Sequence, residues 1–313
     1  MLRFAARRLL MAIPLLLVVS FVVFVLIDLA PGDPAVTLAG ENPTPAQVEQ
    51  IREQLRLDDS LPERYAVWLA HAVQGDLGQS FVNGQSVAEM VGDRLTVTLS
   101  LVLVAMILTL VIGPLAGLAA AARPGAVVDR MITALASAAI AVPPFWLGLI
   151  LVVVLAVNLG WLPALGYEPL AEGFGPWISH LILPAIALAM LPMAEVALQL
   201  KTSLADVLGR DYILNAEAKG LSVTQVRIKH AAKNAAVPVV TVLGSRFAQM
   251  IGGTVAIETV FGLAGLGTLA VNSVLGRDIP VLLGLVVLTT AIVLVVNLLV
   301  DISYGYFNPK VRA

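Results

Sequence analysis

The stretch TVTLSLVLVAMILTLVIGPLAGLAAA, residues 96–121, decides the fold class, because none of its side chains is charged. A helix needs about 20 apolar residues to cross the roughly 30 Å hydrocarbon core of a bilayer. Six such stretches occur in the chain, and the other five are 9–28, 131–157, 181–200, 237–257 and 280–301. Since every backbone polar group in hydrocarbon needs an internal partner, we expect six transmembrane helices and an all-α polytopic membrane protein.

The composition agrees with this fold class. Of the 313 residues 59% are hydrophobic and 13% are charged, whereas soluble domains have about 45–50% and about 25%. The net charge of −2 offers no basic surface for nucleic acid. The absence of cysteine excludes disulfides, thiolate metal sites and cysteine nucleophiles. A soluble enzyme, a disordered chain and a nucleic-acid binder are therefore excluded.

The distribution of basic residues predicts the orientation. The first apolar stretch is longer than the roughly 7–15 residues of a signal-peptide core, so we expect it to be retained as span 1. Thirteen of the 19 Lys and Arg residues lie in four places, the N-terminus, the turn 123–130, the loop 201–236 and the C-terminal tail. The short loops 158–180 and 258–279 carry only Arg277. Since cytoplasmic loops are rich in Lys and Arg, we expect both termini in the cytoplasm and the chain in the cell membrane.

Four regions follow from these spans. Residues 1–28 form the N-terminus and span 1, 29–94 an external segment, 95–303 the core with spans 2–6, and 304–313 a cytoplasmic tail. In the external segment, Thr44 followed by Pro45 predicts a helix start. Two apolar stripes follow, Val48, Ile51 and Leu55, then Leu61, Tyr65, Trp68, Leu69 and Ala72. We expect two small helices that pack on the mouth of the bundle, with substrate contact as the alternative.

The cytoplasmic loop 201–236 has helical patterning of its own. Asp211 to Lys219 predicts a short helix that stops at Gly220, a residue suited to positive φ. Ser222 and Gln225 have the spacing of a capping box for a second helix. A helix–glycine–helix elbow at a membrane surface is typical of a docking element, although an ordinary connecting loop is the alternative.

Several spans contain residues that weaken or kink helices. They are Gly113-Pro114, Pro143-Pro144, Pro184, Pro192 and Gly252-Gly253. Such residues suit a bundle that opens and closes around a path, although static membrane proteins have them too. Two ionisable residues, Glu195 in span 4 and Arg246 in span 5, lie at similar depths, so one hypothesis is an ion pair that lines the path. Separate snorkelling or a purely structural pairing of the two residues is the alternative, and Gly252 and Gly253 complete the candidate path residues.

The sequence lacks the usual marks of catalysis. It has no G-x-x-x-x-G-K-[ST] string and no Gly-Lys dipeptide, so the chain cannot build a P-loop. The three histidines, His71, His180 and His230, are scattered. We therefore expect no enzyme activity, cofactor or metal site in this chain, and energy for uphill transport has to come from a partner or an ion gradient.

The stretch DYILNAEAKGLSVTQVRIKHAAKNAAVPVV, residues 211–240, resembles the cytoplasmic EAA-type loop of binding-protein-dependent ABC importer permeases, most of all their dipeptide and oligopeptide branch. Six further pieces agree in order: LAPGDP (29–34), GDLGQS (75–80), RLTVTLSL (94–101), LGWLPALGY (159–167), IGGTVAIETVFGLAGLG (251–267) and NLLVDISYGYFNPKVR (297–312). The resemblance covers nearly the whole chain. It implies the type I ABC importer permease fold, with span 1 and the external segment as additions of this branch.

The resemblance also implies which residues couple to an ATPase. In this family the loop forms a coupling helix that enters a cleft on the ATPase, and small residues let it lie deep. Ala216, Ala218 and Gly220 match those small positions, with Glu217, Lys219 and Leu221 beside them. The match departs from the general signature at Leu214 and in the Gly220-to-Pro238 spacing, and Ala264 stands where many relatives have proline.

By the same resemblance, the chain is one part of a complex. The family implies a second homologous permease, two ATPases that carry ATP and Mg²⁺, and an external substrate-binding protein. The expected function is import of di- and oligopeptides. Two alternatives remain open at this point: the same fold with nickel or glutathione as cargo, and a stand-alone channel or gradient-driven carrier.

Overall fold

A computed structural model describes residues 2–29, 33–40, 43–218, 220 and 232–307. Its long helices are α1 (Leu2–Asp28), α5 (Val87–Ala122), α8 (Phe174–Leu208), α10 (Ala232–Val260) and α12 (Ile279–Phe307). Shorter helices are α2 (Pro34–Leu38), α3 (Pro45–Gln54), α4 (Leu61–Val73), α6 (Val127–Ala141), α7 (Pro144–Leu151), α9 (Asp211–Ala218) and α11 (Leu266–Leu275). Within these ranges the backbone is helical apart from turns, loops and one isolated β-bridge between Gln79 and Ser86. The expected all-α class is confirmed.

The bundle has two distinct ends. We call the end that carries residues 29–94 the segment end, and the end that carries the 201–236 loop the loop end. Arg64 of the segment binds Asp28 at the end of α1 at 2.6 Å, and the Phe81 amide donates to Asp278, just before α12, at 2.9 Å. The C-terminal end of α1 and the N-terminal end of α12 therefore both lie at the segment end.

Helix length and apolarity support most of the expected spans. Among the described residues, α5, α8, α10 and α12 are long and apolar enough to cross a bilayer, and α6 with α7 adds a fifth crossing if the bent pair counts as one span. In α1, the described side chains give a 17-residue apolar run, Leu10–Leu26. The total of six spans therefore stays a prediction.

Span 3 differs most from the expectation of one helix over 131–157. The axes of α6 and of the helix Pro144–Asn158 differ by 105°, with the break at Val142 and Pro143. Proline lacks the ladder donor and disfavours helical backbone in the residue before it, and Pro143 is accordingly extended. After Leu151 the helix continues in π form to Asn158. By contrast, Pro114, Pro184 and Pro192 lie inside unbroken helices.

The core centres on the contact between α5 and α8. Two glycines of α5, Gly113 and Gly117, let the helices approach closely. A Cβ on Gly117 would lie 2.7 Å from the carbonyl oxygen of Ala197, and one on Gly113 would lie 2.9 Å from a methyl group of Val196. Around this contact, buried side chains of α5, α8 and α10 form one apolar cluster.

Both helices predicted within residues 29–94 are present as α3 and α4. The Thr44 hydroxyl accepts a hydrogen bond from the Gln47 amide at 3.3 Å, so the expected N-cap is confirmed. At the start of α4, the amide and hydroxyl of Ser60 both donate to the Glu63 carboxylate, and these bonds lower the pKa of Glu63.

Helix α4 lies against α1 through its aromatic side chains. The Tyr65 ring meets Phe21 and Phe24 edge-on, with centroid distances of 5.1 and 5.6 Å. The Tyr65 hydroxyl is also 2.8 Å from the Ser20 hydroxyl. The apolar stripe of α4 therefore fixes the segment to the first helix of the bundle.

Candidate functional site

Glu195 of α8 and Arg246 of α10 form an ion pair between these two helices. Arg246 binds the carboxylate twice, with Nη2 on Oε1 and Nε on Oε2, and its Nη1 donates to Gln249. Nη2 donates a hydrogen bond to Oε1, whereas Nε and Oε2 are in ion-pair contact, and Oε2 accepts no hydrogen bond from the described residues. The side chains remain 20% and 27% exposed. The structure therefore brings together the two charges that the sequence placed at similar depth.

This ion pair borders an open cavity of about 390 Å³ on the bundle surface. The remaining lining comes from α6, α8 and α10 and consists of Ile140, Leu198, Gln199, Thr202, Val242 and Ser245. The wall thus offers one negative group, one positive group, three uncharged polar side chains and three apolar ones. Such a lining suits a ligand that carries both charges along with apolar groups.

Gly252 and Gly253, the other candidate path residues, lie further along α10 toward the segment end. Neither belongs to the lining of the cavity. Gly252 is exposed and has open space where a side chain would stand, while a Cβ on Gly253 would contact Leu188 at 3.7 Å. Their role in a path stays a prediction.

A second ion pair joins α6 to α8 nearer the loop end. Lys201 Nζ lies 2.5 Å from Asp129 Oδ1 and donates to Thr133 at 2.9 Å. The other oxygen of Asp129 accepts from the Gly125 amide at 2.8 Å. Lys201 follows Glu195 by six residues, or about 9 Å of helix. The two ion pairs therefore join α8 to α10 at the cavity and to α6 nearer the loop end.

The predicted coupling helix is present in part. Helix α9 contains Ala216, Glu217 and Ala218, and Gly220 follows with φ of +82°, as its glycine predicts. Lys219, Leu221 and the Ser222–Gln225 capping box lie outside the described residues. The assignment of these residues to an ATPase contact stays a prediction.

Helix α9 is anchored to the ends of α8 and α10. Ile213 is buried in a cluster with Val207 of α8 and Val239 of α10. The Asn234 amide also donates to the Tyr212 hydroxyl at 3.0 Å. A force on α9 would therefore reach the two helices that carry the Glu195–Arg246 pair.

Sequence reasoning missed a buried ionisable residue near the end of α10. It expected span 5 to end at residue 257, but α10 continues to Val260 and includes Glu258. This side chain is fully buried and hydrogen-bonded to Thr98 of α5 at 2.7 Å. A glutamate within the apolar run VAIETVF was the signal that could have identified it.

Comparison with known proteins places the chain in a family. Residues 112–313 match the model of the binding-protein-dependent transport system inner membrane component, and residues 1–102 match its N-terminal companion model. The oligopeptide transport system permease protein AppB of Bacillus subtilis is 41% identical over 309 residues, which cover 98% of both chains. A probable peptide ABC transporter permease protein of Sinorhizobium fredii is 39% identical over 98% of both chains.

Two further matches bear on cargo and on fold. The glutathione transport system permease protein GsiC of Escherichia coli O6:H1 is 38% identical, over 100% of this chain and 99% of that protein. An inward-facing structure of the MetNI methionine ABC transporter matches 70% of this chain and 96% of its own with a TM-score of 0.56 at 18% identity, which supports the type I permease fold. The family models and the full-length relatives agree with the helical bundle, and the chain belongs to the inner membrane components of binding-protein-dependent transport systems.

Proposed function

We propose that this chain is the membrane permease subunit of an ATP-driven importer of di- and oligopeptides and forms half of its translocation path. Full-length relatives named as peptide permeases support this cargo. The observation that carries the proposal is the cavity, whose wall holds Glu195 and Arg246 side by side. Gly252 and Gly253 would continue the path along α10.

The ion pair suits a zwitterionic cargo. Breaking a buried ion pair leaves a charge without a partner and costs about 3–5 kcal/mol. A peptide offers its ammonium group to Glu195 and its carboxylate to Arg246, so the two side chains can part without either losing an opposite charge. As the cargo passes, the Glu195–Arg246 ion pair is replaced by two ion pairs, one between Glu195 and the peptide ammonium group and one between Arg246 and the peptide carboxylate.

Charge complementarity also separates the cargo alternatives. A free nickel ion would meet the guanidinium of Arg246, which repels it, and would bring no anion to replace Glu195. Glutathione is a tripeptide with both kinds of charge, and the 38% identity to GsiC makes it the second candidate. The lining therefore favours peptides, glutathione included, over a metal ion.

Coupling to the ATPases is assigned to residues 211–236 at the loop end. We expect Ala216, Glu217, Ala218, Lys219, Gly220 and Leu221 to form the contact. Support comes from the short α9, from the glycine that ends it and from the anchoring of α9 to α8 and α10. This assignment requires the loop end to be cytoplasmic, in agreement with its excess of Lys and Arg.

The remaining parts of the machine belong to partner chains. A binding-protein-dependent ABC permease works with ATPase subunits and a substrate-binding protein. We propose two ATPases, a second homologous permease and one external binding protein per complex. ATP and Mg²⁺ reside on the ATPases, because this chain has no Gly-Lys dipeptide for a P-loop. Nucleotide binding then shifts the bundle between two states that face opposite sides of the membrane.

Replacement of Gly220 by leucine tests the coupling. Both Gly220 and Gly75 have positive φ, +82° and +87°, and neither has an atom within 4 Å of an added Cβ. Gly75→Leu is therefore a control with the same backbone strain at the other end of the bundle. In the reconstituted complex, we expect Gly220→Leu to lower ATP-dependent dipeptide uptake and peptide-stimulated ATP hydrolysis by at least about tenfold, and Gly75→Leu to preserve both.

Three outcomes would contradict the proposal. Equal losses in both variants would show that backbone strain, and not an ATPase contact, causes the defect. Dipeptide uptake by the chain without ATPase subunits would identify a stand-alone carrier. Uptake of nickel but not of dipeptides by the intact complex would refute the cargo.

A further inference from the structure

Glu258 has the most complete burial of any charged side chain in the described residues. Its Oε1 accepts from the Thr98 hydroxyl of α5 at 2.7 Å, and its Oε2 accepts from the Thr268 amide of α11 at 3.0 Å. Thr98 accepts in turn from the Leu266 amide at 2.8 Å. We call Thr98, Glu258, Leu266 and Thr268 the Glu258 clasp, which joins α5, α10 and the first turn of α11.

Asp278 makes a second connection of the same kind at the other end of α11. It is 3% exposed and accepts from the Ser80 hydroxyl and from the Phe81 amide at 2.9 Å. The Asp278 amide donates to the Ser273 carbonyl of α11 at 2.8 Å. We call Ser80, Phe81 and Asp278 the Asp278 clasp, which joins the external segment to the turn between α11 and α12.

The carboxylates are held by hydrogen bonds rather than by ion pairs. No ion pair within the described ranges includes either of them. A buried carboxylate costs free energy unless its oxygens are satisfied, so both are committed to the donors that surround them. The positive end of the α11 dipole adds to the stabilisation of Glu258.

Close packing reinforces the clasps. Leu266 and Leu269 of α11 are buried with Val87 of α5 and Val281 of α12. A Cβ on Gly267 would lie 2.6 Å from the Val255 Cα, so α11 touches the backbone of α10. The segment ends of α5, α10 and α12 thus share one packed layer with α11.

Between this layer and the cavity, α10 is weak. Gly252 and Gly253 lie six residues after Arg246 and five before Glu258. Each glycine in a helix costs about 1 kcal/mol relative to alanine, and both are exposed. Bending α10 therefore costs the least free energy at these two adjacent glycines.

We propose that Glu258 and Asp278 are positioning residues that lock α11 to α5, α10, α12 and the external segment, so that the segment end moves as one rigid body and α10 bends at Gly252-Gly253. The proposal rests on the proposed transport cycle, because it states which parts move together in that cycle. Because the clasps hold the helices of the segment end together, motion at the loop end tilts that end as one unit.

Distances between spin labels test the rigid body, and the chain has no cysteine of its own to interfere. The first pair, Glu89→Cys with Asn272→Cys, joins exposed sites on α5 and α11 within the rigid body. The second, Thr241→Cys with Asn272→Cys, joins exposed sites on α10 and α11 outside the cavity lining and spans the two glycines. In the complete complex, we expect ATP trapped with vanadate to leave the first distance unchanged and to change the second by about 5 Å, roughly a helical turn.

Either distance can overturn the proposal. A nucleotide-dependent change in the first pair would show that the segment end is not rigid, and an unchanged second pair would show that α10 does not bend at the glycines. Dipeptide uptake is measured on the same labelled complexes. A complex that shows both expected distances but imports no dipeptide contradicts the proposed cargo and leaves the rigid body intact.

A disulfide bond in place of the hydrogen bonds of Glu258 tests the function of the Glu258 clasp. A Cβ on Gly265 would lie 2.6 Å from Thr98 Oγ1, so Thr98→Cys and Gly265→Cys place two thiols in reach once Glu258→Ala has cleared the space. We expect Glu258→Ala alone to raise the ATP hydrolysed per peptide imported by about tenfold. The oxidised triple variant should restore the ratio, and reductant should abolish the restoration.

A merely structural role of Glu258 would lower the yield of complex without changing this ratio. Blocked transport in the oxidised form would show that the clasp has to open in the cycle, which overturns the proposal. If the variants fail to assemble, the spin-label pairs decide, because they leave every clasp residue in place.

Discussion

At the scale of single residues, the Glu195–Arg246 pair gives the sharpest test of the translocation path. We expect Glu195→Gln and Arg246→Gln each to lower ATP-dependent dipeptide uptake by about tenfold, or about 1.4 kcal/mol. This is less than the about 3–5 kcal/mol for breaking a fully buried pair, because the side chains keep 20% and 27% of their surface exposed. Uptake of labelled dipeptide into proteoliposomes measures the loss.

The charge-swapped chain is the control for these variants. Glu195→Arg with Arg246→Glu keeps one charge of each sign in the cavity wall, so it should import more dipeptide than either single variant. If the charge-swapped chain loses as much dipeptide uptake as the two single variants together, the exact placement of each charged group matters. The exchange of partners with the peptide termini would then be wrong.

At the scale of elements, the contact between α5 and α8 depends on glycine for a reason that one substitution can expose. We expect Gly117→Ala to destabilise the bundle by about 1–3 kcal/mol, because its Cβ would lie 2.7 Å from the carbonyl oxygen of Ala197. Gly92 of the same helix has no atom within 4 Å of an added Cβ. There, alanine should stabilise the helix by about 1 kcal/mol.

Thermal unfolding in one detergent compares the two alanine variants with the unaltered chain. The midpoint should fall for Gly117→Ala and rise for Gly92→Ala. A fall of equal size in both would mean that glycine in α5 serves backbone flexibility and not close helix contact.

The elements also show how far sequence reasoning reaches. Long apolar runs locate α5, α8, α10 and α12, because apolar length is the main requirement for crossing a bilayer. They do not locate helix ends, since α10 continues past residue 257 with polar side chains that the fold itself satisfies, and Glu258 was missed for that reason. Pro143-Pro144 marks a weak point, but the 105° bend depends on the neighbours of α6 and α7.

The site shows the same limit. Because the rise per residue of a helix is fixed, a position along a span can be converted to a depth in the membrane. The similar depths of Glu195 and Arg246 in two antiparallel helices were enough to suggest that their side chains meet. Nothing local in GDLGQS or RLTVTLSL assigns Ser80 to Asp278 or Thr98 to Glu258, because those partners are 198 and 160 residues apart. Long-range hydrogen bonds of this kind follow only from the packed bundle.

At the scale of the whole molecule, the two ends of the bundle differ in the forces that hold them. Two ion pairs with partly exposed members, Glu195–Arg246 at the cavity and Asp129–Lys201 nearer the loop end, join α8 to its neighbours. At the segment end, α11 is held by buried carboxylates with neutral donors, and the ion pair Arg64–Asp28 joins the segment to α1. Ion pairs next to a cavity can exchange partners with a charged cargo, whereas buried clasps cannot, so the molecule has one adaptable end and one fixed end.

This asymmetry has to match the orientation of the chain in the membrane. In the sequence, thirteen of the 19 basic residues lie in the N-terminus, the turn 123–130, the loop 201–236 and the C-terminal tail, so we expect the loop end in the cytoplasm and the segment end outside. Two exposed asparagines report on the ends, Asn215 in α9 and Asn83 in the segment. In intact cells, a membrane-impermeant maleimide should label Asn83→Cys and spare Asn215→Cys, and in inverted vesicles the labelling should reverse. Labelling of Asn215→Cys from outside would place the proposed coupling helix on the side that has no ATP, and an ATP-driven role for this chain would then fail.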